Sequence, residues 1–198
     1  MLHENDIRLS LDCWRDWRPV FEHGPAVASS PLLLYRGQFD RFLKNYSVRR
    51  TIRKGASEAL REQLREPAWC RAVEDVSGAD IDAQEQVLRS TFGTRDGQRG
   101  LISALSKVAS LLVPDAFNAW DRFARAGVNR AFGRPRSPAF GSYAAYLHDV
   151  NQLLAGELGD AVRALCAGRY PTAMAAVGEP FHRRVLDVHL MRLGGRWD

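Results

Sequence analysis

The chain has 198 residues, 45% hydrophobic and 26% charged, and a net charge of +5. That length holds one well-buried core and excludes a multidomain machine, and the apolar-to-charged balance excludes wholesale disorder and a fibrous repeat. The longest apolar runs, such as Pro31 to Leu34 and Val108 to Val113, fall far short of the roughly 18–20 residues of a membrane helix; Glu4, Asp6, Arg8 and Asp12 interrupt any secretion signal, so a cytoplasmic protein without a membrane partner is expected.

From the amino end, residues 1–34 read as an irregular extension of a single helical domain spanning 1–198, with strand character confined to Pro31-Leu32-Leu33-Leu34-Tyr35. Beyond it the pattern is helical almost throughout. Phe39, Phe42, Leu43 and Tyr46 recur at i, i+3, i+4 and i+7, one face of a helix. Ser57 to Glu66 reads as a helix capped by Ser57 and stopped before Pro67, and Ala68 to Val76 as a short one after it. Asp82-Ala83-Gln84-Glu85 matches a capping box opening a helix to Phe92, which also accounts for the carboxylates Asp80, Asp82 and Glu85 without a metal. Gly93 to Gly100 is a loop. Leu101 to Val113 is a buried helix, and Pro114 starts another running from Asp115 to Phe132.

The proline-rich Gly133-Arg134-Pro135-Arg136-Ser137-Pro138 is a loop. Ser142 caps a helix to Leu154 with Tyr143, Tyr146, Leu147, Val150 and Leu154 inward; Glu157 to Ala167 and Pro180 to Leu193 complete the set. The expected fold is all-α, a bundle of about seven to nine helices.

Charge is segregated. Only three lysines are present, leaving 25 arginines. Between residues 35 and 55, Arg36, Arg41, Lys44, Arg49, Arg50, Arg53 and Lys54 face Asp40 alone, a net +6; between 122 and 136, Arg122, Arg125, Arg130, Arg134 and Arg136 face no acid, a net +5, so the remainder carries −6. The first segment is either an amphipathic helix with a solvated basic side or a phosphate-binding surface, since clustered cations release counterions on contact with a nucleic-acid backbone.

Cys13, Cys70 and Cys166 are far apart and form no CxxC pair, so they read as reduced core residues. His182 and His189 lie on one expected helix with Asp187 nearby, which reads as a surface or capping arrangement. Phosphate loops of the GxxxxGK type, GxGxxG, HExxH, GxSxG and cysteine–histidine ligand spacings are all absent from the sequence. Neither a metal site nor a cofactor is called for.

Gly97 to Phe123 runs in the order glycine-bearing turn, helix containing Lys107, proline-led turn, then Asp121 followed by cations. This order resembles the helix-hairpin-helix DNA glycosylase superfamily over residues 90–136. The family's LPGxGxxTA-like hairpin is missing, because Leu101-Ile102-Ser103-Ala104-Leu105-Ser106 has no glycine, and the Lys107-to-Asp121 interval is shorter than the family's. The resemblance implies an enzyme acting on N-glycosidic bonds in DNA repair, with Asp121 stabilising oxocarbenium-like charge or activating water, and Lys107 as a lyase nucleophile. A flipped base would lie among Phe117, Trp120 and Phe123, and Arg36, Arg41, Lys44, Arg49, Arg50, Arg53, Lys54, Arg122, Arg125, Arg134 and Arg136 would hold the nucleic acid, DNA in preference to RNA. Asp121 also has a plain reading, an i, i+4 ion pair with Arg125. Two alternatives stand beside the glycosylase: a non-enzymatic nucleic-acid-binding module, and a ribonuclease similar to the HEPN family, whose R-x4-H pattern Arg184 and His189 match.

Overall fold

The computed structural model describes residues 2–21, 27–46, 48, 52, 55–75, 78–92, 100–135, 140–172 and 178–197, with backbone only for 13, 14, 16–21, 91, 92 and 100. Among the described residues there are eleven α-helices, one 3-10 turn and no strand. The helices are α1 (Glu4–Phe21), α2 (Pro31–Leu34), α3 (Arg36–Asn45), α4 (Ser57–Gln63), α5 (Pro67–Glu74), α6 (Gly78–Phe92), α7 (Gly100–Leu112), α8 (Arg122–Ala131), α9 (Tyr143–Ala155), α10 (Glu157–Arg169) and α11 (Glu179–Leu193). The all-α class therefore holds, with more and shorter helices than the periodicity suggests.

The organising element is α11. It packs against α8, α1 and α10, so apolar residues are buried on all its sides: Phe181, Val185, Leu186, Val188, Leu190 and Met191. A helix enclosed in this way also encloses its charged positions, here Arg183 and Asp187. Glycine sets the closest approach. A Cβ on Gly127 of α8 would stand 1.9 Å from the Leu190 carbonyl oxygen, and one on Gly194 would stand 1.9 Å from that of Phe123. Side chains at these two positions are incompatible with the α8–α11 spacing.

Several elements differ from the sequence reading. Residues 4–21 are helical: α1 buries Asp6, Ile7 and Ser10 and packs on α11. The expected strand at Pro31 is instead the short helix α2, because Ser30 Oγ accepts from Leu32 N at 3.3 Å and Pro31 occupies the first turn, where its missing N–H costs nothing. Ser57 is the first residue of α4 rather than its cap. The helix containing Asp82 starts earlier, at Gly78, and Asp82 serves another helix: its two carboxylate oxygens accept from the backbone N–H groups of Tyr143 (2.8 Å) and Ala144 (2.9 Å). Together with Ser142 Oγ, which accepts from Ala145 N at 3.1 Å, they satisfy the first three free donors of α9. Glu85 pairs with Arg89 within α6.

The helix expected from Asp115 begins only at Arg122. Residues 117–120 belong to no helix, and side chains from other helices engage their backbone groups. Ser106 Oγ accepts from Trp120 N at 2.9 Å, and the Tyr143 and Tyr146 hydroxyls donate to the carbonyls of Asn118 (2.7 Å) and Ala119 (3.2 Å). Burial pushes both phenols far above their ordinary range, so they remain donors. All five expected inward residues of α9 are buried. Cys70 and Cys166 are buried free thiols; burial raises the first and pushes the second up to about 11.

Candidate functional site

Asp121 is the N-cap of α8: its Oδ1 accepts from Phe123 N at 2.8 Å, so the carboxylate sits at the positive end of that helix. Arg125, one turn on, extends its guanidinium over the Trp120 ring at 4.5 Å. Lys107, on α7, is buried and donates from Nζ to the Tyr46 carbonyl at 3.2 Å. A mid-helix lysine so placed ties α7 to the end of α3.

The expected base slot is differently made. Phe117 and Trp120 belong to the core: Phe117 stacks on Tyr143 at 6.4 Å, and Trp120 meets Tyr146 edge-on at 5.4 Å and Phe140 at 6.2 Å. Phe123 is half-buried, with the Arg122 guanidinium 4.5 Å from its ring centre. These three rings thus pack against protein.

Of the cations expected to hold nucleic acid, Arg36, Arg41 and Lys44 lie exposed on α3, whose opposite face buries Phe39, Phe42 and Leu43. Arg36 Nε is 3.7 Å from Asp40 and 3.8 Å from Glu58. Tyr35, the residue before α3, is 61% exposed. Arg122 is exposed, Arg125 half-buried, and Arg134 is exposed but paired with Asp149. Arg49, Arg50, Arg53, Lys54 and Arg136 lie outside the described residues.

The most unusual electrostatics lie on α11, at Arg183, to which the sequence reading gave no role, and at Asp187, which it set beside His182 and His189 in a surface or capping arrangement. Asp187 is 1% exposed. Its Oδ2 pairs with Arg184, while no donor among the described residues meets Oδ1. Burial pushes this carboxyl above its ordinary range; the charges of Arg184, Arg196 and Lys107 oppose that shift, and the charge of Asp121 adds to it. Arg183, also buried, donates from Nη1 to the carboxamide oxygens of Asn118 (2.7 Å) and Asn151 (2.8 Å), and burial lowers it. Both side chains line a cavity of about 40 Å³ bounded by α1, the end of α3, the stretch after α7, and α11.

Farther along α11, His189 Nδ1 lies 3.2 Å from Asp6 Oδ2, and Arg192 Nε donates to Asp6 Oδ1 at 2.7 Å. Burial raises the Asp6 carboxyl, but the hydrogen bonds from His189 and Arg192 and the Arg192 charge outweigh it and hold the group below its ordinary range. His182, paired with Glu179 at 3.0 Å, is buried like His189, so the surface arrangement expected for the two is an interior one. Arg184 pairs with Asp187 rather than turning toward His189. The signal for this cluster was present in sequence as Arg183-Arg184 and Asp187 among the apolar residues Phe181, Val185, Leu186 and Val188; the burial that makes it costly was not.

No helix among the described residues is long and apolar enough to cross a membrane. No family model, curated protein or solved structure matches the chain.

Proposed function

We propose that the chain binds nucleic acid, DNA in preference to RNA, through the basic face of α3 and the arginine-rich segment that follows it in the sequence. The supporting observation is the row of exposed cations Arg36, Arg41 and Lys44 on α3, with the exposed Tyr35 ring at the start of that helix. Exposed aromatics are costly in water and stack on bases, while neighbouring cations meet phosphates, so the pair is the usual composition of a strand-binding platform. Arg36 is shared with Asp40 and Glu58.

The test is the salt dependence of binding. Reversing Arg41 and Lys44 to Glu removes two phosphate contacts and flattens the slope of log K against log[salt] by about 2. Tyr35→Ala weakens binding to single-stranded DNA about tenfold while leaving that slope unchanged. Unchanged affinity in both variants would place the contact surface elsewhere.

A glycosylase-like activity is the finer reading. It rests on the order of Lys107 and Asp121 along the chain, and both charges act on the buried Asp187 carboxyl. Release of free base from a damaged or modified duplex separates this enzyme from a binding module, which releases none.

A further inference from the structure

The turn that ends α11 holds an exposed tryptophan in a fixed place. Gly194 caps the helix and Gly195 takes a φ of 87°, a conformation that glycine adopts without steric cost, so the chain doubles back. The Gly195 N–H donates to the Arg192 carbonyl at 2.8 Å and the Arg196 N–H to that of Met191 at 3.1 Å. This closure brings Arg196 Nη1 to 3.7 Å from the Met191 sulfur and sets Trp197 against two guanidinium groups: Cζ of Arg192 lies 5.2 Å, and that of Arg196 5.3 Å, from the ring centre. Both are within cation–π range, and Trp197 is still 45% exposed.

Helix α8 adds cations to this end of α11. Gly194 packs on the Phe123 carbonyl, and Arg130 Nη1 donates to the Leu193 carbonyl at 3.3 Å, so the turn rests on α8. Phe123 and Arg130 stand seven apart, two turns along one side of that helix, and the Arg122 guanidinium lies 4.5 Å from the Phe123 ring centre. Arg122, Arg130 and Arg196 are exposed and form no ion pair among the described residues. The carboxylates of the region are already engaged, Asp6 by His189 and Arg192 and Asp121 by the Phe123 N–H. Asp198 lies outside the described residues.

We propose that this end of α11 is a second contact surface for single-stranded nucleic acid, with a base stacking on Trp197 and its guanidinium neighbours and Arg122, Arg130 and Arg196 meeting phosphates. The class of partner rests on the nucleic-acid reading above, but the surface shares no residue with α3. Guanidinium forks match phosphate oxygens. The face of an indole ring is electron-rich, so it accepts the planar face of a base and disfavours a carboxylate. A base extends the layering already present between ring and guanidinium groups, and because the turn holds Trp197 before any partner arrives, little ordering cost is left for binding. Stacking of this kind takes open strands, whose bases are free, over duplexes, whose bases are paired. An acidic protein segment would satisfy the arginines and leave the ring without a part.

The test titrates a labelled thymine strand of about 12 nucleotides with the full chain and its variants, by fluorescence anisotropy over a series of salt concentrations. Trp197→Ala is expected to weaken strand binding about tenfold with the slope of log K against log[salt] unchanged, and to leave binding of a duplex within about twofold. Trp197→Phe, which keeps a stacking ring, recovers part of the loss. Arg122→Ala combined with Arg196→Ala is expected to flatten the slope by about 1.4, since each phosphate of a single strand contributes about 0.7. All three positions are exposed, and a melting curve of each variant separates a lost contact from a lost fold. Strand binding that is unchanged in the Trp197 and arginine variants overturns the proposal, and if the Arg41 and Lys44 reversal weakens it in the same assay the α3 reading stands alone. Loss at Trp197 with no effect of the α3 reversal keeps this surface and removes that one. Polyglutamate that binds as tightly as the strand, with no dependence on Trp197, would assign the surface to an acidic protein and overturn the proposal too. A chain that binds no strand removes both.

Discussion

Replacing Asp121 separates a structural role from a chemical one. Its Oδ1 holds the Phe123 N–H at 2.8 Å at the start of α8, so Asp121→Ala strips a cap and costs about 1 kcal/mol. For a chain of this size that lowers the melting temperature by about 2–4 °C. Asp121→Asn retains an oxygen in the capping position and loses only the charge at the helix N-terminus, worth about 0.3–1 kcal/mol. Loss of that charge also relieves Asp187, whose ionisation Asp121 opposes. The Asn variant is therefore expected to melt within about 2 °C of the unmodified chain. If the carboxylate serves glycosidic cleavage, the same substitution lowers base release by about a hundredfold or more, roughly 2.7 kcal/mol in the barrier, while DNA affinity is retained. Scanning calorimetry gives the first quantity. Free-base release with alkali cleavage of the abasic strand, over a panel of altered bases, gives the second. Melting of Asp121→Asn as low as that of Asp121→Ala would refute the capping argument. Base release that survives in Asp121→Asn, or an unmodified chain that releases no base from any duplex, would remove the glycosylase reading.

Gly127→Ala places a Cβ against the backbone carbonyl of Leu190, a contact that no rotamer change relieves; a loss of about 3 kcal/mol, or roughly 6–12 °C in melting temperature, is expected, and an unchanged melting curve would mean that α8 and α11 are farther apart. Asp6 has a folded-state pKa below its unfolded one, so its contribution is present above about pH 4 and is lost as pH falls through the lowered value. In acid titrations of stability, Asp6→Asn should therefore be less stable than the unmodified chain near neutrality and converge with it below about pH 4; parallel curves would contradict the pairing with His189 and Arg192. RNA incubated with the chain in the absence of metal is expected to stay intact, because His189 is buried against Asp6; cutting that His189→Ala abolishes would favour the HEPN-like reading instead.

The sequence by itself determined the helical class and those helices whose ends and faces depend on residues within a turn or two. Ser142 caps α9 as its position implies, the five inward residues of that helix are buried, and α7 follows its apolar run. Caps and periodicity act over three or four residues, and such interactions are written in the local order of the chain. Tertiary structure decided what depends on distant partners. Asp82 looks like the cap of its own helix until the N-terminus of α9, 61 residues away, takes both its oxygens. The stretch 117–120 reads as part of a helix but lies outside one, its backbone groups engaged by Ser106, Tyr143 and Tyr146 from two other helices. Asp187 and Arg183 show the same limit at the candidate site. As letters they are ordinary polar positions on an amphipathic helix; enclosure of α11 by α1, α8 and α10 removes them from water and leaves Asp187 Oδ1 and Arg183 Nε without a hydrogen-bond partner among the described residues. Burial is a property of the assembled helices, and the cost of an unsatisfied charge arises only once that assembly has excluded the solvent.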